Sequence, residues 1–398
     1  MTEPSLADLH GAFGEWLAFP ELDGVPSYDL VDVALAAVVG NRLHGDPLWL
    51  FLVAPPSSGK TEVLRALGDA PDVFPLSSLT AQTFASGFER KGAETSLLPK
   101  LSGKIVVMKD FGTVLTLHRE ARAEIFAQLR EIYDGQFAKA WGNGKAFEWS
   151  GKVGLLAGVT GALDREYSMN GILGERFLLF RVKGVPGYEL ARRALDQTAT
   201  LERERRQRLR ALVAAFLYAC PETPPPLPAP FVDGIIALST LTATARSPVL
   251  YDPRTSAIEL IPEPEAPGRV AKALATVGRA LAIVRAEPAV SVRTYATVAQ
   301  IAQDSIPATR RIVLEAALSA PGSTTAELGE RTGYPTTTAR RYLQELVAVR
   351  LLDRSSTGPG HPDRWAPSDR LREMLRDARR PLGDLDPHTP LTRSVGGE

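Results

Sequence analysis

The sequence predicts an α/β core built on a parallel sheet, then a helical region, then a small α+β domain near the C-terminus. Three observations carry this. Leu48-Trp49-Leu50-Phe51-Leu52-Val53 is an unbroken apolar run of strand length, and it meets a tight turn before a helix opens at Glu62. Two later runs, Ile105 to Met108 and Gly154 to Val159, are also apolar throughout and lead into polar residues at Lys109-Asp110 and Thr160, as buried parallel strands with a ligand-facing end do. Between residues 308 and 365, three short helical patterns surround Gly333 and give way to two strand-like segments.

The turn reads Ala54-Pro55-Pro56-Ser57-Ser58-Gly59-Lys60-Thr61. A strand, a turn with Gly-Lys-Thr and a helix, in that order, match a phosphate-binding P-loop. Backbone N–H groups from Pro56–Glu62, proline excepted, would cradle phosphates. Lys60 would reach the β/γ oxygens of ATP and the Thr61 hydroxyl would bind Mg²⁺. The match departs from the consensus at Ala54, where the first glycine usually sits; alanine tolerates most turn conformations except positive φ. Asp110 follows the second apolar run about fifty residues later, the Walker B position that supports Mg²⁺.

The chain has 398 residues, length for two or three domains. Lys+Arg 46 against Asp+Glu 46 gives zero formal charge, so a nucleic-acid contact must come from local patches. The single cysteine, Cys220, excludes an intramolecular disulfide framework and a cysteine-based zinc site, and fits a reducing cytoplasm. Five histidines lack metal-ligand spacing. No apolar run approaches a membrane span and no signal peptide opens the chain, so a cytoplasmic protein without membrane contact is expected.

In chain order, residues 5–18 and 28–42 read as amphipathic helices, broken between by Pro20 and Pro26. Asp72 to Leu76 reads as a second strand, and Thr116 to Tyr133 as a helix stopped by Asp134-Gly135. Residues 136–149 alternate on both sides of Asn143-Gly144, a strong hairpin signal, with Lys139 and Lys145 flanking the tip. Residues 187–220 are helical, and the mixed charges from Glu202 to Arg208 read as a solvated face. Pro221 to Pro230 forms a stiff connector, followed by helices at 231–245 and 267–285.

From Ser305 the pattern is helix (308–319), helix (324–332), a turn at Gly333-Tyr334-Pro335, and a third helix from Thr336. Two short helices around a glycine turn are the helix-turn-helix signature. Leu351 to Arg354 and Arg364-Trp365 can pair as a wing. Thr337, Arg340 and Arg341 near the third helix's N-terminus, with Arg354 and Arg364, would share a DNA-binding face. Residues after about 380 read as disordered.

The order of these motifs resembles the AAA+ and related ring ATPases over roughly residues 28–285. With a C-terminal winged helix the architecture is similar to replication initiators, helicase loaders and helicase-like ATPases. The wording around Gly59-Lys60-Thr61, Lys109-Asp110-Phe111 and Gly174-Glu175-Arg176-Phe177 looks similar to ATPases of bacteriophages and integrative elements. The resemblance implies an N-terminal helical segment (1–45), an AAA+-like core (46–186), a helical lid and linker (187–300), the winged helix (301–380) and a tail (381–398). It implies Thr160 as the sensor of the γ-phosphate and Arg176, with Arg181 behind it, as an arginine finger acting on a neighbouring subunit. It gives Lys139 and Lys145 a pore role on DNA, and offers Arg246 or Arg269 as a lid arginine. Tyr28 or Val31 would touch adenine, although core packing suits both better.

A glutamate follows the Walker B aspartate in the common ring ATPases, and here Phe111 stands there. Glu62, Glu120 and Glu124 are the substitutes within sequence reach. The expected protein is a hexameric, DNA-binding ATPase, a helicase, initiator or loader of a phage or mobile element, working with replisome proteins. The rivals are an ATP-controlled winged-helix switch of transcription or defence with little hydrolysis, and an ATP-fuelled module whose winged helix binds protein.

Overall fold

The computed structural model describes residues 3–383, apart from 23, 86–88, 91–92, 95, 142–145, 165–175, 185, 253, 256, 262, 357 and 359–360. Its contacts divide the chain into two compact units, residues 1–163, 179–226 and 276–289 in one, and 164–178, 227–275 and 290–398 in the other.

The first unit is an α/β sheet flanked by helices. It opens with α1 (Leu6–Gly14) and α2 (Asp29–Arg42). Ser5 and Asp8 close a reciprocal capping box on α1, which fixes where that helix starts. Strand β1 (Trp49–Val53) is buried at every position, as its unbroken apolar run requires of a strand covered on both faces. The chain continues through α3 (Lys60–Ala66), β2 (Val73–Leu76) and β3 (Ile105–Met108) into α4 (Arg119–Tyr133). A hairpin of β4 (Gln136–Ala140) and β5 (Ala146–Ser150) follows, then β6 (Gly154–Val159) and β7 (Leu178–Arg181). The sheet runs β7-β1-β6-β3-β2. Its β6–β1, β6–β3 and β2–β3 pairs are parallel, with Ala157 beside both Phe51 and Met108. Helices α5 (Gly187–Leu195) and α6 (Ala199–Ala219) complete the unit.

The hairpin shows why alternation reads as structure. Phe137, Phe147 and Trp149 are buried on one face, and Trp149 Nε1 donates to Ser102 Oγ at 2.9 Å, while their neighbours in sequence face outward. Its tip, with Asn143-Gly144 and Lys145, lies outside the described residues.

A buried charge network ties the N-terminal helices together. Asp32 is fully buried and accepts from His10 Nε2 (2.7 Å) and Arg285 Nε (2.9 Å), while Arg285 Nη2 also reaches Asp29 (2.8 Å). Burial alone would push the Asp32 carboxyl up, but the His10 hydrogen bond and Arg285 outweigh it and hold it below its ordinary 3.8. A carboxylate depressed on folding adds stability above its unfolded pKa and loses it as pH falls through the folded one. Acidifying from about pH 6 to about pH 3 is therefore expected to narrow the stability gap between the native chain and Asp32→Asn by up to about 1 kcal/mol. Urea midpoints at the two pH values measure it, and a constant gap would refute the assignment.

The second unit begins with α7 (Ala229–Arg246) and a two-stranded pairing of β8 (Leu250–Tyr251) with β9 (Ile258–Leu260). Helix α8 (Gly268–Val284) starts in this unit, and from Thr276 belongs to the first, where Gly40 lies against Thr276 and Ala280. Then come α9 (Val292–Asp304), α10 (Ala308–Ser319), β10 (Ser323–Thr324), α11 (Thr325–Thr332) and α12 (Thr336–Ala348). Strands β11 (Leu352–Ser355) and β12 (Arg364–Pro367) lead to α13 (Asp369–Arg379). The three strands form an antiparallel sheet in the order β10-β12-β11. Gly333, at φ 70°, ends α11 in the left-handed conformation, which is why a glycine punctuates this turn. Trp365 is completely buried and its indole N–H donates to Thr325 Oγ1 at 2.9 Å. Of the tail expected to be disordered (381–398), Pro381 and Leu382 continue into a short helical turn, Arg380–Leu382, and residues 384–398 lie outside the described residues.

No helix among the described residues is long and apolar enough to cross a membrane.

Candidate nucleotide site and nucleic-acid face

The 54–61 loop leaves the C-terminal end of β1, the end where open parallel sheets receive ligands. Its left-handed residues are Ser57 (φ 60°) and Gly59 (φ 82°). Ala54 is absent from the positive-φ set, so the missing first glycine costs this loop no strain. Pro55, Pro56 and Ser57 are exposed, Gly59, Thr61 and Glu62 are half-buried, and Ser58 and Lys60 are buried. The Ser58 hydroxyl is buried with no hydrogen-bond partner, a polar group that a buried site is expected to satisfy.

Lys60 Nζ donates to the carbonyls of Ala54 (2.9 Å) and Val159 (3.0 Å). An ammonium has three N–H donors, so one remains for an anion. Burial lowers the Lys60 pKa, with the nearby Asp110 charge opposing that shift. The route of this side chain depends on Gly158, which the sequence reading passed over. A Cβ there would sit 2.6 Å from the Lys109 carbonyl and 3.2 Å from Lys60 Cδ. A glycine inside an otherwise branched strand is the signal that marks such a close approach.

Asp110 follows β3 and is exposed, and its Oδ1 accepts from the Gly112 N–H at 2.8 Å. Thr160 follows β6, the strand between β1 and β3, and its Oγ1 accepts from Ala162 N–H at 3.4 Å. Parallel register thus brings Lys60, Thr160 and Asp110 to one edge of three adjacent strands. The residues fit a Mg-nucleotide: an unpartnered buried hydroxyl, a lysine with a spare donor, and a carboxylate near it. Among the described residues no cluster of three or more His, Cys, Asp or Glu could hold a metal by itself. A magnesium site built on Thr61 and Asp110 would therefore draw further oxygen ligands from the substrate phosphates.

Phe111 does not face this edge. It is fully buried, its ring 4.8 Å from Phe51, and its N–H donates to the Gly158 carbonyl at 2.8 Å. Of the three substitute glutamates, Glu62 accepts from Arg65 Nη1 (2.6 Å) and from Arg206 Nε (2.9 Å) and Nη2 (3.1 Å). Its carboxylate is thus held by those arginines. Glu124 lies 3.5 Å from Lys139, and Glu120 is exposed on the first turn of α4.

The charged run on α6 is exposed at Arg203, Glu204, Gln207 and Arg208, yet several of its arginines are also engaged in ion pairs. Arg206 reaches Glu62, Arg208 reaches Glu15 (3.0 Å), and Arg210 pairs with Asp69, so the helix is strapped to α3, α1 and the turn after α3. Leu17 packs against Gly59 and Arg193 holds the carbonyls of Gly14 and Leu17, both at 2.6 Å. No local pattern announces these pairs, whose partners stand far apart in sequence. Tyr28 stacks on His10 at 4.4 Å and Val31 is buried, so both pack as core.

Arg176, at the edge of the second unit, is half-buried in the turn before β7, and Arg181, in the part of β7 that belongs to the first unit, is buried. Arg246 and Arg269 both bond Glu265, at 2.5 and 3.2 Å. Thr337 and Arg340 are exposed on the first turns of α12, and Arg340 makes no ion pair among the described residues. Arg341 is committed otherwise: its guanidinium lies 4.6 Å over the Tyr251 ring and Nε donates to Glu345 at 3.3 Å. Arg364 Nη1 donates to the Gly322 carbonyl (2.8 Å) and Arg354 pairs with Asp363 (2.8 Å).

No protein-family model matches this chain, and no curated protein matches it.

Proposed function

We propose that this chain is a Mg-ATP-dependent, DNA-binding ring ATPase of the AAA+ kind with a C-terminal winged helix, serving replication of a phage or mobile element. The observation that carries the reading is the convergence of Lys60, Asp110 and Thr160 on one sheet edge beside a loop with left-handed Ser57 and Gly59. In it, Lys60 directs its remaining N–H to a phosphate oxygen, and the N–H groups of the loop with the Ser58 hydroxyl orient the phosphates. Thr61 and Asp110 would hold Mg²⁺, which neutralises phosphate charge when bound. Thr160 positions the attacking water or the terminal phosphate, and Arg176 would act on a neighbouring protomer.

The winged-helix part of the proposal rests on α10, α11 and α12 with the β10-β12-β11 sheet and the glycine turn at 333. Thr337 and Arg340 would enter a DNA groove, with Arg364 on the wing. Lys139 and Lys145 would contact DNA in a pore; the half-exposed Lys139–Glu124 pair, at 3.5 Å, is a weak competitor for phosphate. Arg340→Ala is expected to weaken DNA binding by about 1–3 kcal/mol and to make the salt slope shallower by about 0.9 if the contact is to phosphate. Unchanged affinity and slope would remove Arg340 from the contact set.

ATP turnover with and without DNA, on protein sized by light scattering, tests the whole reading. Fast, DNA-stimulated turnover by a hexamer-sized particle supports it. A second reading, an ATP-controlled winged-helix switch, is favoured by the burial of Phe111 and the capture of Glu62 by Arg206. Tight ATP binding with negligible turnover by a monomer or dimer would make that reading the better one.

A further inference from the structure

Outside the 54–61 loop, a cavity of about 350 Å³ opens in the first unit at the C-terminal ends of β2 and β3. Leu64, Leu76, Val107 and Leu209 give it apolar walls, and Trp16 closes one side. Neither the 54–61 loop nor Asp110 nor Thr160 lines it, so it is distinct from the candidate phosphate site. Its volume lies at the small end of ligand pockets, which pair apolar walls with a few convergent polar groups.

The polar groups are mostly cations: Arg65, Lys109, Arg206 and Arg210, with Glu62 as the one lining acid. Charge counting selects the ligand class. Arg65 and Arg206 share Glu62, Arg206 also meets Glu202, and Arg210 meets Asp69. Four cations against these three carboxylates leave one positive charge, and Lys109, exposed and without an ion pair among the described residues, is the cation left over. Lys109 is also next to Asp110, so neighbouring residues at the end of β3 serve two different sites.

We propose that this cavity binds a small monoanionic amphiphile, with an aromatic or aliphatic body against Leu64, Leu76, Val107 and Leu209 and a single carboxylate, sulfonate or phosphoryl group at Lys109 and Arg206. The ligand's anion competes for Arg206 on α6 with Glu62, which stands two residues along α3 from Lys60.

The test uses anilinonaphthalene sulfonate, an aromatic monoanion, titrated into the full chain without nucleotide. Saturable binding of one probe per chain, with energy transfer from tryptophan, is expected. Leu76→Trp, which fills the mouth, should weaken binding by about tenfold or more. Glu62→Gln, which frees an arginine charge, should tighten it by about threefold, and Lys109→Gln should weaken it by about the same factor. Lys60→Ala should leave it unchanged. Wild-type affinity in Leu76→Trp would overturn the proposal by placing the probe elsewhere, and loss in Lys60→Ala would assign the probe to the phosphate loop. Should Leu76→Trp fail to fold, Ser77→Trp on the exposed side of the same mouth decides by the same criterion. Nucleotide is absent from the titration, so failure of the ATPase reading would leave its result intact.

Discussion

Lys60→Ala is expected to lower ATP turnover by about 100-fold or more while the protein stays folded. The size follows from removing a pre-aimed charged donor that is itself buried, an effect of about 3–4 kcal/mol on the barrier. Folding should suffer little. The ammonium is held by two backbone carbonyls, but burial lowers its pKa, so its charge is costly there. Loss of those hydrogen bonds and relief of that cost offset each other, and the stability change should stay within about 1 kcal/mol. The sign of the pH effect adds a second measurement. Because the folded state gives up this proton at lower pH than the unfolded one, native stability should rise between Lys60's lowered pKa and 10.5. That rise should vanish in Lys60→Ala. Lys152→Ala is the matched control: its ammonium is also partly buried, donating to the Leu43 carbonyl at 2.6 Å, but it precedes β6 at the opposite end of the strand from Val159. Equal turnover loss in both variants would sink the nucleotide assignment of the loop.

Phe111 bears on how fast that turnover can be. A glutamate placed there would be buried against Phe51 and Phe126, not beside the phosphate edge, so restoring it is not a route to faster hydrolysis. The water-activating acid, where one exists, must come from elsewhere. Glu62 is already triply hydrogen-bonded, so on the proposed ATPase reading slow turnover is expected unless Glu120 or Glu124 supplies that acid.

Some of this was legible in the residues alone because short-range physics sets it. The apolar run before Gly59-Lys60-Thr61, the alternation around Asn143-Gly144 and the glycine turn at 333 depend on neighbours in sequence. Helix α13 was legible in principle, since Leu371, Met374, Leu375 and Ala378 repeat at helical spacing, yet its charge hid it. The ion pairs of α6 were not legible. A run of Glu and Arg reads the same whether solvated or strapped to acids more than a hundred residues away, and only tertiary contact decides. The same holds for the basic residues of α12: helical position alone put Arg340 and Arg341 together, and Tyr251 and Glu345 separate them.

That separation leads to the largest expected effect on stability. Glu345→Ala should destabilise the second unit by about 3–5 kcal/mol, because it strands a buried charge. Glu345 Oε2 accepts from Arg310 Nε (3.1 Å) and Nη2 (2.6 Å), and Oε1 from the Tyr251 hydroxyl (3.0 Å) and Arg341. Arg310 Nη1 also donates to the carbonyls of Ala245 and Ser247, both at 2.7 Å, so the guanidinium stitches the end of α7 to α10 and α12. Both side chains are almost fully buried, at 7% and 5% exposure, so water cannot replace the lost carboxylate. Tyr251→Phe removes one hydrogen bond to that carboxylate and should cost only about 1.5–3 kcal/mol. The double variant Arg310→Met with Glu345→Leu should be less destabilised than Glu345→Ala, since no charge is left behind. Urea unfolding of the full chain followed by emission of Trp365, with the other four tryptophans replaced by phenylalanine in every variant compared, measures all three. If Glu345→Ala cost no more than Tyr251→Phe, the carboxylate would be a surface acceptor in solution and Arg341 would rejoin Arg340 as a free cation of α12.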